Sequence, residues 1–220
     1  MKKSEILKNL RKLQAAFEND PQALEALILL KNKAEALLED QAKTPSDLAL
    51  GDFPVPLELR GLAQAFAIFA DGACRGNPGP GSWATIIQDV KGEVILKSSG
   101  VDVPTTNNKM ELSGVIQGLK GLLDKWIDEG ISGRESPVFV FSDSKYVVEG
   151  IEKWVVGWKA RGWKKADNKD PENLLLWKEL DQLKSYFNHI SFHWIKGHAG
   201  HPQNELCDQM ANFALDEAGF

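Results

Sequence analysis

The stretch Ala65-Phe66-Ala67-Ile68-Phe69-Ala70-Asp71-Gly72-Ala73-Cys74-Arg75-Gly76-Asn77-Pro78-Gly79-Pro80-Gly81 decides the fold. Ala65 to Ala70 is a short apolar run that reads as a strand ending in an Asp-Gly pair. Gly, Asn and Pro from Gly76 to Gly81 are turn residues, and they lead into a second strand around Trp83 to Gln88. Val90-Lys91-Gly92-Glu93 turns again, into a third strand around Val94 to Ser98. Three antiparallel strands are expected. A helix from about Asn108 to Asp128 follows, with Leu112, Val115, Leu119, Leu122 and Trp126 on one face. Gly114, Gly118 and Gly121 lie along a second face, each costing about 1 kcal/mol relative to Ala, which close packing there would offset. Val138 to Phe141 is apolar on both faces, as a buried parallel strand should be, and ends at Asp143. Next come a helix carrying Val147, Ile151 and Trp154, and another carrying Leu176, Leu180, Leu183 and Phe187. An alternating strand (Ile190, Phe192, Trp194) and a C-terminal helix (Cys207, Met210, Ala211, Ala214) complete an α/β order: βββαβ, helices, β, α.

Upstream, Pro45, Gly51, Pro54 and Pro56 mark residues 44–56 as a linker, so the main domain is expected over 57–220. Residues 1–43 contain no Gly and one aromatic, Phe17. Ile6, Leu10, Leu13 and Phe17 form one apolar stripe, and Leu24, Leu27, Leu30, Ala34 and Leu37 form another beyond an Asn19-Asp20-Pro21 break. An N-terminal α-helical hairpin is the expectation. Two short helices cannot bury such stripes alone, so self-association or a protein contact is its expected role.

The 220 residues are 43% apolar and 26% charged, the balance of a globular protein and not of a disordered or collagen-like one. A net charge of -5 argues against a globally basic nucleic-acid coat while leaving room for a local basic patch. The longest apolar stretch near the N-terminus, Ala26 to Leu30, is far short of the roughly 18 residues of a membrane span. Glu5, Lys8, Asn9, Arg11 and Lys12 interrupt any signal-peptide core, and Cys74 and Cys207 make no disulfide framework. A cytoplasmic protein without membrane association is expected.

Four carboxylates stand where chemistry is usually placed. Asp71 and Asp143 end apolar strands. Glu111 lies one turn before Val115 on its helix, and Asp208 takes an equivalent place early in the last helix. If the first and fourth strands are neighbours, all four converge. Two such charges about 4 Å apart repel by about 4 kcal/mol at an effective dielectric of 20, so the cluster needs cations. Oxygen ligands alone suit Mg²⁺, or Mn²⁺ as a substitute, and several carboxylates can hold two ions for in-line phosphoryl displacement.

The blocks Ile68-Phe69-Ala70-Asp71-Gly72-Ala73-Cys74, Thr105-Thr106-Asn107-Asn108-Lys109-Met110-Glu111-Leu112, Phe141-Ser142-Asp143-Ser144 and Lys196-Gly197-His198-Ala199-Gly200-His201-Pro202 through Asn204-Glu205-Leu206-Cys207-Asp208 resemble the signature segments of cellular type 1 ribonuclease H, the bacterial type. The likeness covers roughly residues 65–218 in the family's order. It implies the ribonuclease H-like fold, a five-stranded mixed sheet flanked by helices, with Asp71, Glu111, Asp143 and Asp208 as catalytic metal ligands. It also gives His198, on a glycine-flanked loop, a part in proton transfer or product release, chemistry that an imidazole can do. Asn204 is implied to hydrogen-bond water near the metals. A rival zinc set, His198, His201 and Cys207, lacks the spacing of a closed four-ligand site.

Residues 153–169 hold six basic side chains, Lys153, Lys159, Arg161, Lys164, Lys165 and Lys169, against Asp167 alone. Trp154, Trp158 and Trp163 are interleaved, offering stacking faces beside cations, and Gly157 and Gly162 are expected to break the segment into a protruding arm. The arm resembles the family's basic protrusion. By that resemblance Tyr146, Trp154 and Trp158 line a channel for a DNA strand, Asn77, Asn107 and Asn108 meet ribose hydroxyls of RNA, and Thr106 belongs to the nucleic-acid-binding set. Pro104 and Leu206 depart from basic residues frequent in relatives, and the Asp128–Ser136 connection is longer than usual. The function implied is an endoribonuclease cutting the RNA strand of RNA–DNA hybrids by two-metal catalysis, leaving 5′-phosphate and 3′-hydroxyl ends. The alternative, a hybrid-binding module without catalysis, would require a damaged carboxylate.

Overall fold

A computed structural model describes residues 53–130 and 133–220. The chain divides into two units, Met1–Ala49 and Leu50–Phe220, and the second is the one described. The helical hairpin expected over residues 1–43, and residues 44–52 of the expected linker, lie outside the described residues.

Five strands form one mixed sheet: β1 (Phe66–Cys74), β2 (Gly79–Asp89), β3 (Val94–Thr105), β4 (Val138–Ser142) and β5 (Ile190–Trp194), in the spatial order β3-β2-β1-β4-β5. The first three pair antiparallel, as the two turns require, whereas β4 lies parallel to both β1 and β5. β1 is longer than its apolar run. Asp71 to Cys74 continue the ladder with β2, so Asp71 is inside β1 and not at its end, while the pairing with β4 stops at Phe69↔Phe141. β3 also outruns its expected limit at Ser98. Backbone pairing with β2, not apolar burial, holds the rest of this edge strand, and Gly100 leaves room for the indole of Trp83.

Helices α1 (Asn107–Asp128) and α4 (Leu174–Lys184) cover one face of the sheet, where Ile68, Val140 and Phe192 join Leu112, Val115, Leu119, Leu122 and Trp126 in the core. The glycine face of α1 packs as its composition demands. A Cβ on Gly118 would stand 2.6 Å from Ile68 Cγ2, and one on Gly114 3.2 Å from Ala70 Cβ. Helix α5 (Pro202–Glu217) covers the other face, tied by Ser82 Oγ to Ala211 O (2.6 Å) and by Cys207 Sγ to Phe69 O (3.4 Å). Phe53–Pro56, the last residues of the expected linker, also belong to this folded unit, because buried amides of Gln88 and Gln203 hold the carbonyls of Phe53 and Pro54.

Between β4 and α4 the chain runs through α2 (Lys145–Glu149), a π-helical turn (Gly150–Trp154) and α3 (Val155–Ala160). Gly157 lies inside α3 with Arg161 folded over it, so it does not break the segment; Gly162, at φ +66°, does. On α4 the fully buried side chains are Trp177 and Leu180, and Leu176 is only partly buried. Gly150, at the start of the π-helical turn, has no side chain where the Trp177 ring lies. Among the described residues, no helix is long and apolar enough to cross a membrane.

Candidate active site

The parallel register of β1 and β4 creates the site. Two residues past the last pair, Phe69↔Phe141, the chain reaches Asp71 on one strand and Asp143 beyond the other. Glu111 arrives from α1, whose start is fixed by the Thr106 hydroxyl accepting from Lys109 N at 3.4 Å. Gly72 permits the approach, since a Cβ there would stand 2.5 Å from Glu111 N and 2.8 Å from Met110 C. One carboxylate oxygen each of Asp71, Glu111 and Asp143 then lies within 4.8 Å of the others.

Burial and mutual repulsion act on these acids. Burial, then the charges of Asp143 and Asp208, push Asp71 up to about 7, although Gly72 N donates to its Oδ1 at 2.7 Å. Glu111 is raised well above the usual carboxylate range by burial first and by Asp71 and Asp143 next. Its Oε1 accepts from Asn107 Nδ2 at 3.3 Å, and its Oε2 is buried without a hydrogen-bond partner. Asp143 Oδ2 accepts from Asn204 Nδ2 at 3.3 Å, and the Oδ1 of Asn204 is likewise buried and unpartnered. Crowded carboxylate oxygens with orphaned acceptors are the donor set of a hard divalent cation, and the residues present fit one.

The fourth carboxylate stands aside. Asp208, half-buried on α5, accepts from Asn212 Nδ2 at 2.9 Å and is outside the group of three, although its charge reaches Asp71. The rival zinc set does not assemble: His198 and His201 are exposed, whereas Cys207 is buried and its thiol donates to Phe69 O. Among the described residues the acidic trio is the one cluster of metal-ligand type. His198 has a left-handed backbone, φ +51°, on the loop before α5.

The nucleic-acid candidates fall into two groups, one at the start of α1 and one around Trp177 and the residues after it. Asn77, on the β1–β2 turn, accepts through Oδ1 from Asn107 N at 3.3 Å, and Thr106, Asn107 and Asn108 form the half-buried start of α1. Tyr146, Trp154 and Trp158 pack around Trp177, with ring centroids 5.2, 6.5 and 5.7 Å from it. Trp177 Nε1 donates to the Tyr146 hydroxyl at 3.2 Å. Lys159 pairs with Asp181 at 2.8 Å and Lys164 with Asp170 at 2.7 Å, while Arg161 donates to Lys164 O and Lys165 is half-buried beside them.

Sequence reasoning missed three supports. Gly72 resembled an ordinary turn glycine, and Gly197 a hinge beside His198. Gly197 in fact abuts Asp143 Oδ2, so a side chain there would strike the carboxylate. The third is Trp194, whose Nε1 donates to Asp143 O at 2.8 Å.

Residues 63–216 match the sequence family described as RNase H. A protein named Ribonuclease H from Cupriavidus necator is 44% identical over 156 residues, which cover 71% of this chain and 99% of that protein. Among solved structures, LC9-RNase H1, described as a type 1 RNase H with the type 2 active-site motif, is 30% identical with a TM-score of 0.58, over 76% of this chain and 75% of that one. LC11-RNase H1, solved in complex with an RNA/DNA hybrid, is 26% identical with a TM-score of 0.55, over 70% of this chain and 99% of that one. With its sheet order, its acidic trio and more than two thirds of its length matched, the chain belongs to the ribonuclease H family.

Proposed function

We propose that this chain is an endoribonuclease that hydrolyses the RNA strand of RNA–DNA hybrids, leaving 5′-phosphate and 3′-hydroxyl ends. The observation that carries the reading is the meeting of Asp71, Glu111 and Asp143 within 4.8 Å, where β1 and β4 part. Ribonucleases H use a divalent metal; we assign Mg²⁺, replaceable by Mn²⁺, as two ions held by Asp71, Glu111, Asp143 and Asp208. When bound, the ions supply an activated water and stabilise the departing 3′ oxygen.

The chain's own residues hold and orient. Asn204 donates to Asp143 and leaves its free carbonyl for water at the site. His198, on the exposed loop, carries a proton to or from the reacting phosphate. Asn77, Thr106, Asn107 and Asn108 meet the RNA strand, whose 2′-hydroxyls distinguish it from DNA. Tyr146, Trp154 and Trp158 face the DNA strand, with Lys159, Arg161, Lys164 and Lys165 on its phosphates. The free thiols of Cys74 and Cys207 fit a cytoplasmic location, and the expected N-terminal hairpin a self-association or protein-contact role.

Labelled hybrid, duplex DNA and duplex RNA incubated with Mg²⁺ or EDTA test the reading. Mg²⁺-dependent cleavage of the RNA in the hybrid alone is expected. Asp143→Asn removes cleavage and leaves hybrid binding largely intact; full turnover in that variant overturns the assignment.

A further inference from the structure

The segment preceding β1 is connected to the catalytic carboxylates through two buried amides. Gln203, at the start of α5, and Gln88, on β2, are 4% and 0% exposed. Gln203 Nε2 donates to Pro54 O at 2.6 Å and to Gln88 Oε1 at 3.0 Å. Gln88 Nε2 in turn donates to Phe53 O at 3.0 Å and to Gly92 O at 3.1 Å. Gly92, at φ +92°, lets the strap come close, because a Cβ there would stand 2.9 Å from Phe53 O. Beside these bonds, the strap of residues 53–57 and the start of α5 line a common cavity. It has a volume of about 310 Å³ and is bounded by Val55 and Leu57 on the strap and by Phe69, Phe141, Ile195 and Pro202 opposite. Residues 53 and 54 lie upstream of the stretch that matches the family, residues 63–216.

The residue after Gln203 is Asn204, whose Nδ2 reaches Asp143 Oδ2. Adjacent residues in a helix's first turn point to different sides, and here one side is the strap and the other the site. We propose that Gln203, clamped by Pro54 and Gln88, is a positioning residue that sets the first turn of α5 so that Asn204 orients the Asp143 carboxylate. The proposal rests on the hybrid-cleaving reading above. Orientation of a reacting group is worth large factors in rate, and displacements well below an ångström are felt.

Gln203→Met in the full chain keeps the side chain's length and removes both donors. The expected result is a fall of about tenfold in kcat, KM for the hybrid within twofold, and Mn²⁺ affinity by calorimetric titration lowered severalfold. In an Asn204→Ala background the same substitution should change kcat less than twofold, since its route to Asp143 is gone. A kcat within twofold of the unmodified chain, or an equal tenfold fall in both backgrounds, overturns the proposal. If Gln203→Met does not fold, Pro54→Gly loosens the strap while keeping its carbonyl. That variant should lower kcat two- to threefold at unchanged KM, and an unchanged kcat overturns the proposal. An unmodified chain inert on hybrid would instead refute the reading beneath it.

Discussion

Asp71 occupies a position where neither burial nor the neighbouring acids favour a charge, and its displacement from 3.8 to about 7 corresponds to about 4 kcal/mol. Because the folded-state value lies above the unfolded one, the native state binds more protons between those limits, and metal-free stability falls as pH rises from about 4 to about 7. Thermal melting in EDTA should therefore show Tm declining between pH 5 and pH 7, and Mn²⁺ should flatten that decline by neutralising the cluster. A metal-free Tm that holds level over this range would refute the crowding argument. Glu111→Gln removes an ionisable group whose charge burial and its acidic neighbours disfavour. We expect it to raise metal-free stability at pH 7 by about 1–3 kcal/mol while lowering hydrolysis at least a hundredfold, read by urea unfolding and by single-turnover cleavage. Gly197→Ala tests the opposite coupling. Its new methyl meets the end of a carboxylate and not backbone, so Asp143 moves while the fold survives. Turnover should drop tenfold or more with Tm within about 3 °C of the unmodified chain.

At the scale of elements, α1 shows how a helix rich in glycine is stabilised. Gly118→Ala would place a methyl 2.6 Å from both Ile68 Cγ2 and Thr85 Oγ1, two β-branched residues on central strands, and should destabilise by about 1–3 kcal/mol. Gly121→Ala meets only the movable Leu96 side chain at 2.9 Å, and the helix propensity gained, about 1 kcal/mol, offsets that contact. Melting curves of the two variants should thus separate by several degrees, with Gly118→Ala the lower. Glycine spacing made this face legible in sequence, as periodicity did for the Leu112–Trp126 stripe. What escaped was whatever depended on a partner element. Asp71 looked like a strand end because the apolar run stops at Ala70, yet the ladder with β2 needs no apolar residue to continue through Cys74. The outer half of β3 is legible only through its pairing, and Gly157 looked like a breaker because helix continuity there depends on packing beneath it. For the site, carboxylates at ends of elements were visible one by one, whereas the distances that bring three together and leave Asp208 beside Asn212 belong to the β1–β4 register and the seating of α5.

Taken as a whole, the molecule must bring a polyanion to a chain of net charge -5 whose active centre is acidic. Under the proposed function its means is charge asymmetry, with six cations against one acid over residues 153–169. The fold partly cancels that excess with acids outside the segment: Lys153 pairs with Glu149 at 3.6 Å, Lys159 with Asp181 and Lys164 with Asp170. Exposed pairs of this kind are worth about 0–1 kcal/mol, so a phosphate can displace the carboxylate. If the arm is the hybrid's electrostatic contact, removing a competing acid should strengthen binding, and removing a cation should weaken it with a smaller salt dependence. Asp170→Asn, which frees Lys164, should tighten binding severalfold at low salt. Lys165→Gln should weaken binding and reduce the slope of log K against log salt by about 0.9, the counterion release expected for one phosphate contact. Both are read by fluorescence anisotropy of a labelled hybrid between 50 and 200 mM salt, with cleavage blocked by Asp143→Asn and EDTA. Unchanged slope and affinity in both variants would place the hybrid on another surface and leave the arm's charge without a substrate role.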